Sequence, residues 1–394
     1  MSGHGRHLVV VGAGAFGGWT ALWLRRGGAR VTLLDAWEPG NSRSSSGDET
    51  RILRAVYGPD AIYVELVARS LVLWRESEAE WGERILHPTG ALWMFSGDDG
   101  YLRSSLPALQ ASGFAIAELS SGEARERFPQ FDFTGVRTLY HEPAAGYLSA
   151  RRACRAVAAA LVARGGEYRQ QSVRPGPVRH GRMERLLLAS GEGLEADGYV
   201  FACGAWLAGL FPDLLGGRIL PSRQEVFYFG TPAGSARFGQ ESCPVWMDFG
   251  ERIFYGIPGN DGRGFKVADD TRGQPFDPTS GERTPTAASL AEARTHLARR
   301  LPDLAAAPLL ESRVCAYENS LDGHYLIDRH PEAGNAWLVG GGSGHGFKLS
   351  PALGEHLAGV ILSGAPLLPQ FGLARPGLAI AGTTLSGTQF STTL

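Results

Sequence analysis

Apolar residues fall into short uninterrupted runs along the chain, separated by polar or glycine-rich stretches. Such runs occupy residues 7–11 and 29–34, and later residues 199–202 and 336–339. Runs of four to six residues rich in valine and leucine predict strands that are buried on both faces, as in a parallel sheet covered by helices. The pattern therefore indicates an α/β domain whose strands come from distant parts of the chain.

Glycines follow the first apolar run at a spacing with a known physical meaning. Gly12 allows a tight turn, Gly14 lets the backbone approach a pyrophosphate, and Gly17 lets a helix pack closely on the strand. A helical stretch over residues 19–26 follows, then the second strand, which ends at Asp35. A strand, glycines, a helix, a strand and an acid in this order predict a dinucleotide-binding fold.

Asp35 lies about 20 residues beyond the glycines, where a carboxylate accepts hydrogen bonds from ribose hydroxyls. An acid at this position argues against the 2′-phosphate of NADP. The run that ends near Cys203, Gly204 and Trp206 resembles the second nucleotide-contact strand of glutathione-reductase-type flavoproteins.

A third glycine-dense segment lies near the C-terminus. The strand at residues 336–339 leads into Gly340–Gly346, and Ser350 with Pro351 predicts a helix start, with the serine as the cap. Such a loop presents backbone N–H groups and a helix dipole to an electron-rich ligand edge, and His345 is expected to donate a hydrogen bond there. Residues 287–301 predict a helix without chemistry of its own.

Composition narrows the class of protein. With 394 residues the chain predicts two domains, and its 38 Lys and Arg against 40 Asp and Glu give no basic surface for nucleic acid. No apolar run predicts a membrane span, so a cytoplasmic protein is expected. The histidines and four cysteines show no metal-ligand or disulfide spacing, so no metal site is expected.

Three groups of residues suggest chemistry, although each has a plain structural interpretation. Considered alone, Cys315 is better explained as a buried packing residue and Lys266 as a surface lysine. Arg51 and Arg54 lie three residues apart, so a helix or turn would place both on one side, and a solvated charged face is the alternative interpretation.

Taken together, these motifs resemble the family of monomeric sarcosine oxidase, N-methyltryptophan oxidase, pipecolate oxidase and the fructosyl amino acid oxidases. The resemblance covers residues 8–376 and rests on the N-terminal glycines and on segments 45–54, 254–266 and 315–351. It implies FAD bound covalently through a thioether from Cys315, a small amino acid or amine substrate, O2 as the acceptor, and a monomer.

The resemblance also implies roles for individual side chains. Arg51 would lie against the flavin, Arg54 and Lys348 would bind a substrate carboxylate, and Lys266 would activate O2 over the flavin. A planar guanidinium and an ammonium suit a carboxylate, and a fixed cation stabilises superoxide. Tyr255 and Tyr317 would line the substrate site. The residues expected to contact FAD are Gly12, Gly14, Phe16, Gly17, Asp35, Ala36, Ser45, Ser46, Thr50, Arg51, Val173, Cys203, Gly204, Trp206, Cys315, Gly342, Gly344, His345, Gly346, Phe347 and Lys348.

The fold class implied is mixed α/β and α+β, with a discontinuous Rossmann-like FAD-binding domain and a substrate domain built on a mostly antiparallel sheet. The FAD-binding domain is expected to comprise residues 1–87, 142–221 and 316–376. The substrate domain is expected to comprise residues 88–141 and 222–315. Residues 377–394, rich in Gly, Ser and Thr, are expected to form a flexible tail.

Two positions depart from the sarcosine oxidase pattern, which has a histidine at each. The chain has Gly47 at the first and Asp270 at the second. Asp270 resembles the fructosyl amino acid oxidases, where an acid there faces the substrate. Alternatively it neutralises Arg272 or lies in a polar loop, since Asp269–Gly273 is turn-like.

The expected reaction is FAD-dependent oxidation of a primary or secondary amine in an amino acid, with imine hydrolysis and H2O2 as a product. A deglycating fructosyl amino acid oxidase is the first alternative. A dehydrogenase with another electron acceptor, or a noncatalytic flavin-bearing protein, are further alternatives.

Overall fold

The computed structural model describes residues 5–271 and 273–379. Its helices run, in chain order, α1 (Ala15–Arg26), α2 (Ala61–Trp81), α3 (Gly100–Ala111), α4 (Ser121–Arg127), α5 (Ala150–Ala163), α6 (Leu207–Leu210), α7 (Pro212–Leu215), α8 (Ala287–Arg300) and α9 (Ser350–Ser363). Together with the sheets, these helices confirm the predicted mixed α/β and α+β fold class.

The first sheet has six strands, five of them parallel. Its spatial order is β21 (Leu326–His330), β22 (Ala333–Gly340), β15 (Gly198–Phe201), β1 (His7–Val11), β2 (Arg30–Asp35) and β9 (Glu167–Gln170), with β21 antiparallel to β22. The strand β1 is buried at every position because α1, with α5 and α9 packed on it, covers one face. All four apolar runs of the sequence are strands of this sheet.

The second sheet has eight strands and is antiparallel apart from the β5–β17 pair. Its order is β20 (Leu309–Ser320), β16 (Ile219–Phe229), β19 (Phe265–Asp269), β18 (Ile253–Ile257), β17 (Val245–Phe249), β5 (Ala91–Phe95), β7 (Thr138–Glu142) and β6 (Ala117–Leu119). A mostly antiparallel sheet was the expectation for the substrate domain.

The described residues also form three smaller sheets. One contains β3 (Thr50–Leu53), β8 (Gly146–Ser149) and β4 (Leu86–His87), and another contains β10 (Val173–Pro175), β13 (Leu186–Leu188) and β14 (Gly193–Leu194). The third pairs β11 (Val178–Arg179) with β12 (Arg182–Met183). The expected boundary at residues 315 and 316 falls within the continuous strand β20. The division into domains stays a prediction.

Strand register gives the second sheet one apolar face and one polar face. Phe227, Phe229, Phe254, Phe265 and Val267 pack with α8 into one apolar cluster. Directly opposed residues share a face, and alternate residues along a strand do so too. The pairs Tyr228–Lys266, Tyr255–Ala268, Val226–Arg313, Gln224–Cys315 and Ser222–Tyr317 therefore place the predicted chemistry on the opposite face.

Some local predictions need correction. Ser350 is the first residue of α9 rather than its cap, because a 3-10 turn over Phe347–Leu349 precedes the helix and the Ser350 hydroxyl donates to Phe347 O. Leu378 is fully buried, so the first residues of the expected flexible tail are packed. The rest of that tail, residues 380–394, lies outside the described residues.

Candidate functional site

A large cavity of about 520 Å³ opens at the carboxyl ends of the parallel strands. Gly12 ends the first strand with φ +105°, and a Cβ there would lie 2.2 Å from Ala202 O. A Cβ on Gly17 would lie 1.8 Å from Gly12 O. These close approaches admit only glycine, as the packing role predicted for Gly17 requires.

Asp35 lines the large cavity where β2 ends, and its carboxylate also fixes the glycine turn. Oδ2 accepts from Ala13 N at 2.6 Å and Oδ1 accepts from Trp37 N at 2.9 Å. Burial raises the pKa of Asp35 despite these two backbone bonds. The acid is therefore held at the cavity wall, and its contact with ribose stays a prediction.

The large cavity suits FAD on its own chemistry. The Ser45 hydroxyl is buried and has no hydrogen-bond partner among the described residues, while Ser46 Oγ accepts from Ala15 N at 3.1 Å beside the start of α1. A phosphate at a helix N-terminus would satisfy both the hydroxyl and the exposed amides. The predicted cofactor residues that line this cavity are Gly12, Gly14, Phe16, Asp35, Ala36, Ser45, Ser46, Arg51, Val173, Cys203, Gly204, Trp206, Gly342, Gly344, Gly346 and Phe347.

A small cavity of about 60 Å³ collects every residue predicted to be catalytic. These are Arg51, Arg54, Tyr255, Lys266, Asp270, Tyr317 and Lys348, joined by Thr50 and His345 from the cofactor prediction. Arg51, Tyr317, Gly344 and Phe347 line both cavities. The two cavities therefore share a wall, which these four residues form.

The geometry predicted for the two arginines is wrong, although both reach the small cavity. Arg51 lies within strand β3 and Arg54 just beyond it, rather than on a helix or turn. Arg54 is 5% exposed, which overturns the alternative of a solvated face. The strand ends at Leu53, so the chain can turn Arg54 toward the cavity.

Arg54 and Lys348 are two buried cations held against one aromatic ring. The Arg54 guanidinium lies 4.6 Å and Lys348 Nζ 5.2 Å from the Tyr57 ring centroid. Lys348 Nζ donates to His345 O at 2.9 Å, and Arg54 donates to Val56 O. Burial, reinforced by Arg54, lowers the pKa of Lys348 well below its usual range. A carboxylate entering the cavity would relieve this repulsion.

Lys266 is 1% exposed, which overturns its interpretation as a surface lysine. Its ammonium forms an ion pair with Asp48 and donates to Thr50 O at 3.2 Å. Burial lowers the pKa of Lys266, while Asp48 opposes that shift. The lysine is therefore a fixed group at the cavity wall rather than a mobile chain.

Asp48 is the residue of this site that sequence reasoning missed. It is 1% exposed, accepts from Tyr228 OH at 2.6 Å and from Arg51 Nη1 at 2.9 Å, and lies 3.4 Å from Arg313 Nη1. Burial would raise its pKa, but Lys266 and Arg51 outweigh burial and hold the pKa well below its usual range. Its spacing three residues before Arg51 was the available sequence signal.

Cys315 is not part of the shared wall. It belongs to a small apolar cluster with Val226, Tyr228 and Ala268, and it is absent from the linings of both cavities. Burial raises the pKa of the Cys315 thiol, with Asp48 adding to the effect and Arg51 opposing it. A thiolate is therefore disfavoured while the site holds only protein groups.

His345 is not directed at a ligand edge as expected. Its Nε2 bonds to Gly323 O at 3.1 Å, and its Nδ1 pairs with Tyr325 OH at 2.8 Å. Its backbone N–H donates to Gly342 O at 2.8 Å. The ring therefore braces the glycine loop, because buried ring nitrogens must find partners within the fold.

The two departures from the sarcosine oxidase pattern have different local causes. A Cβ on Gly47 would lie 1.8 Å from Asn41 O, so the preceding turn leaves no space for a histidine. Asp270 lines the small cavity and accepts from Tyr317 OH at 2.7 Å, and this contact raises the Tyr317 pKa further above its burial-raised value. Arg272, its alternative partner, lies outside the described residues.

No helix within the described residues is long and apolar enough to cross a membrane. No group of three or more His, Cys, Asp or Glu side chains there could hold a metal ion. Both observations concern residues 5–271 and 273–379 only.

Comparisons with known proteins agree with this geometry. The chain is 30% identical to monomeric sarcosine oxidase of Bacillus sp. (strain B-0618) over 387 residues, covering 94% of this chain and 96% of that protein. The structure matches L-proline dehydrogenase from P. horikoshii with TM-score 0.81 at 22% identity, covering 94% and 97% of the two chains. It matches the deglycating fructosamine oxidase Amadoriase II of Aspergillus fumigatus with TM-score 0.79 at 21% identity, covering 95% and 91%.

These two solved structures share the fold of the chain. The family described as FAD dependent oxidoreductase (DAO) matches residues 7–360, which include every lining residue of both cavities. The chain therefore belongs to the DAO family of FAD dependent oxidoreductases.

Proposed function

We propose that the protein oxidises the C–N bond of an amino acid carrying a primary or secondary amine, with FAD in the large cavity and the substrate in the small one. The observation that carries this proposal is the pair of buried cations, Arg54 and Lys348, in a cavity that shares a wall with the cofactor cavity. The 30% identity to a sarcosine oxidase supports an amine substrate.

The side chains have distinct tasks in this proposal. Arg54 binds the substrate carboxylate through its planar fork, and Lys348 adds a point charge, so the amine and its neighbouring C–H bond face the shared wall. FAD, when bound, supplies the acceptor for a hydride equivalent. The neighbouring Arg54 and Lys348 cations favour the neutral form of the amine.

The overall change is balanced by water and O2. The amine loses two electrons and two protons to become an imine, which water hydrolyses to a carbonyl compound and an amine. O2 receives the two electrons and two protons and becomes H2O2. Lys266 stabilises the anion that forms as O2 is reduced, because a fixed cation in a site of low dielectric constant needs no reorganisation.

The decisive experiment is an anaerobic panel of N-methyl, cyclic, D- and fructosyl amino acids, read by loss of the flavin absorbance. At least one member should bleach the flavin, and air should restore the colour with one H2O2 per turnover. Bleaching without H2O2 would favour a dehydrogenase. A panel without any bleaching would reject amine oxidation and favour a noncatalytic flavin-bearing protein.

A fructosyl amino acid is the second candidate substrate class. It is favoured by the hydrogen bond from Tyr317 OH to Asp270, which places a carboxylate in the small cavity where sugar hydroxyls could bind. Asp270→Asn should weaken fructosyl substrates at least 10-fold more than N-methyl amino acids if this candidate is correct. Equal effects on both classes would remove it.

Covalent attachment of FAD through Cys315 is part of the proposal and rests on the family resemblance. Arg51, Lys266 and Arg313 all favour the thiolate, even though burial opposes it. After acid precipitation of the wild-type protein, the yellow colour should stay with the polypeptide, and Cys315→Ser should release it. Release from both proteins would show a noncovalent cofactor.

A monomeric state completes the proposal, on the same resemblance, and a cytoplasmic location is proposed from the sequence pattern. Light scattering should give a mass near 42.1 kDa for one chain. A dimer mass would contradict the monomer, and cell fractionation would test the compartment.

A further inference from the structure

Glu318 is a buried acid in the large cavity with an unfilled hydrogen-bonding capacity. It is 7% exposed and lines the cavity three residues beyond Cys315, and its Oε2 has no hydrogen-bond partner among the described residues. Neither the spacing of the N-terminal glycines nor the family resemblance implies a role for Glu318. A buried carboxyl oxygen without a hydrogen-bond partner is costly unless a ligand supplies that partner.

The surroundings of Glu318 are kept clear of side chains. A Cβ on Gly342 would lie 3.0 Å from Glu318 Oε1, and Cβ atoms on Gly340 and Gly204 would lie 3.4 and 3.8 Å from Oε2. Three glycines thus border the carboxyl and leave space beside it. Burial raises the pKa of Glu318 to about 7, although the Gly342 and Gly341 amides oppose this shift.

Several kinds of polar group in FAD could meet this carboxyl. A phosphate would be repelled by the ionised form, a ring carbonyl or ring nitrogen can accept only from the protonated form, and a ring N–H can only donate. A hydroxyl donates to a carboxylate and also accepts from a carboxylic acid, so it suits either state. Hydroxyl groups are therefore the favoured partners for an acid that titrates near neutrality.

The position of Glu318 selects among the hydroxyls. Its neighbour Tyr317 belongs to the wall shared with the small cavity, where the reacting ring must lie. Asp35, at the end of β2, is the acid suited to the adenosine ribose. We propose that Glu318 forms a hydrogen bond with a hydroxyl of the ribityl chain of FAD. This inference rests on family membership and not on the proposed amine oxidation.

The test is a double-mutant cycle between residue 318 and the ribityl hydroxyls. Dissociation constants are measured by flavin fluorescence for FAD and its 2′-, 3′- and 4′-deoxyribityl analogues, in a Cys315→Ser background that keeps binding reversible. Glu318→Met should weaken FAD binding about 10-fold, the loss expected for one hydrogen bond to a charged group. One analogue should bind to the Glu318 protein about 10-fold more weakly than FAD.

The same analogue should bind to Glu318→Met as well as FAD does, because the missing hydroxyl no longer has a partner. Glu318→Gln keeps an acceptor and should restore most of the discrimination. Asn319→Ala is the matched control, since Asn319 is buried on the same strand but bonds to Ser222 Oγ at 2.9 Å and to Leu220 O outside the cavity. The Asn319→Ala protein should distinguish FAD from the deoxyribityl analogue to the same extent as the Cys315→Ser protein does.

The inference is overturned if all three analogues bind to the Glu318 protein as FAD does, a result that needs no variant at position 318. It is also overturned if discrimination persists in Glu318→Met. Should Glu318→Met fail to fold, Glu318→Ala takes its place in the cycle. None of these readouts depends on turnover, so failure of the amine panel would leave this result intact.

Discussion

Asp48 and Lys266 form an ion pair in which both side chains are almost completely buried, at the wall of the small cavity. The two residues are 218 positions apart in the chain, on the segment before β3 and on β19. Arg51 also pairs with Asp48. Arg313 approaches this carboxylate while pairing with Glu49 and Glu311 as well. This relationship explains how a lysine can stay buried beside a cofactor cavity.

Replacing Asp48 by Asn should destabilise the protein by about 3–5 kcal/mol, because the Lys266 ammonium then stays buried without its charge partner. The free energy of unfolding by chemical denaturation measures this loss. The double variant Asp48→Asn/Lys266→Met removes both members and should recover at least half of it. Equal stability of Asp48→Asn and the wild-type protein would contradict a role for the pair.

The two buried lysines should control different halves of the proposed reaction. Lys266→Met should slow the oxidation of reduced flavin by O2 about 10²–10³-fold, the effect of removing one group that stabilises a developing anion. Lys348→Met should change that rate by less than about 3-fold and should instead weaken the binding of the substrate. Stopped-flow absorbance measures both steps, and equal effects of the two variants on reoxidation would refute this division.

Arg54→Lys should weaken a small carboxylate ligand about 10- to 100-fold, because the charge remains but the planar fork is lost. Titration of the flavin spectrum with the carboxylate and with its uncharged amide measures this change. The amide should bind to both proteins with the same affinity. A similar loss for the amide would indicate a general change of cavity shape rather than loss of carboxylate binding.

His296 should make stability depend on pH between about 4 and 6.5. Its ring stacks on Phe254 with centroids 4.1 Å apart, and burial lowers its pKa from 6.5 to about 4, while Asp248 opposes the shift. Below pH 6.5 the His296 ring is protonated in the unfolded chain but stays neutral in the native protein, so stability falls as the pH drops toward 4. The loss over this interval should be about 3 kcal/mol.

Denaturation curves at several pH values test this prediction. His296→Phe keeps the stacked ring without a titrating group, so its stability should fall about 3 kcal/mol less than that of the wild-type protein. The exposed His180 provides a control, because His180→Asn should leave the pH dependence unchanged. Parallel curves for wild-type and His296→Phe proteins would show that another group is responsible.

Local sequence patterns determined the cofactor half of the fold. The apolar runs form β1, β2, β15 and β22, as expected for short runs rich in valine and leucine. The turn at Gly12 and Gly17 leaves no space for a Cβ. Motif resemblance then indicated the residues of the small cavity. Those features are local in the chain, so they can be read from it directly.

Only the tertiary structure decided the electrostatics of the site. Asp48, Glu318 and Tyr57 act through partners that are distant in sequence, and burial raises the pKa of the Cys315 thiol. The bonding of His345 likewise depends on Gly323 and Tyr325 from another segment. A side chain's charge state and hydrogen bonds depend on which groups surround it and how much water they exclude, and these are set when separate segments pack together.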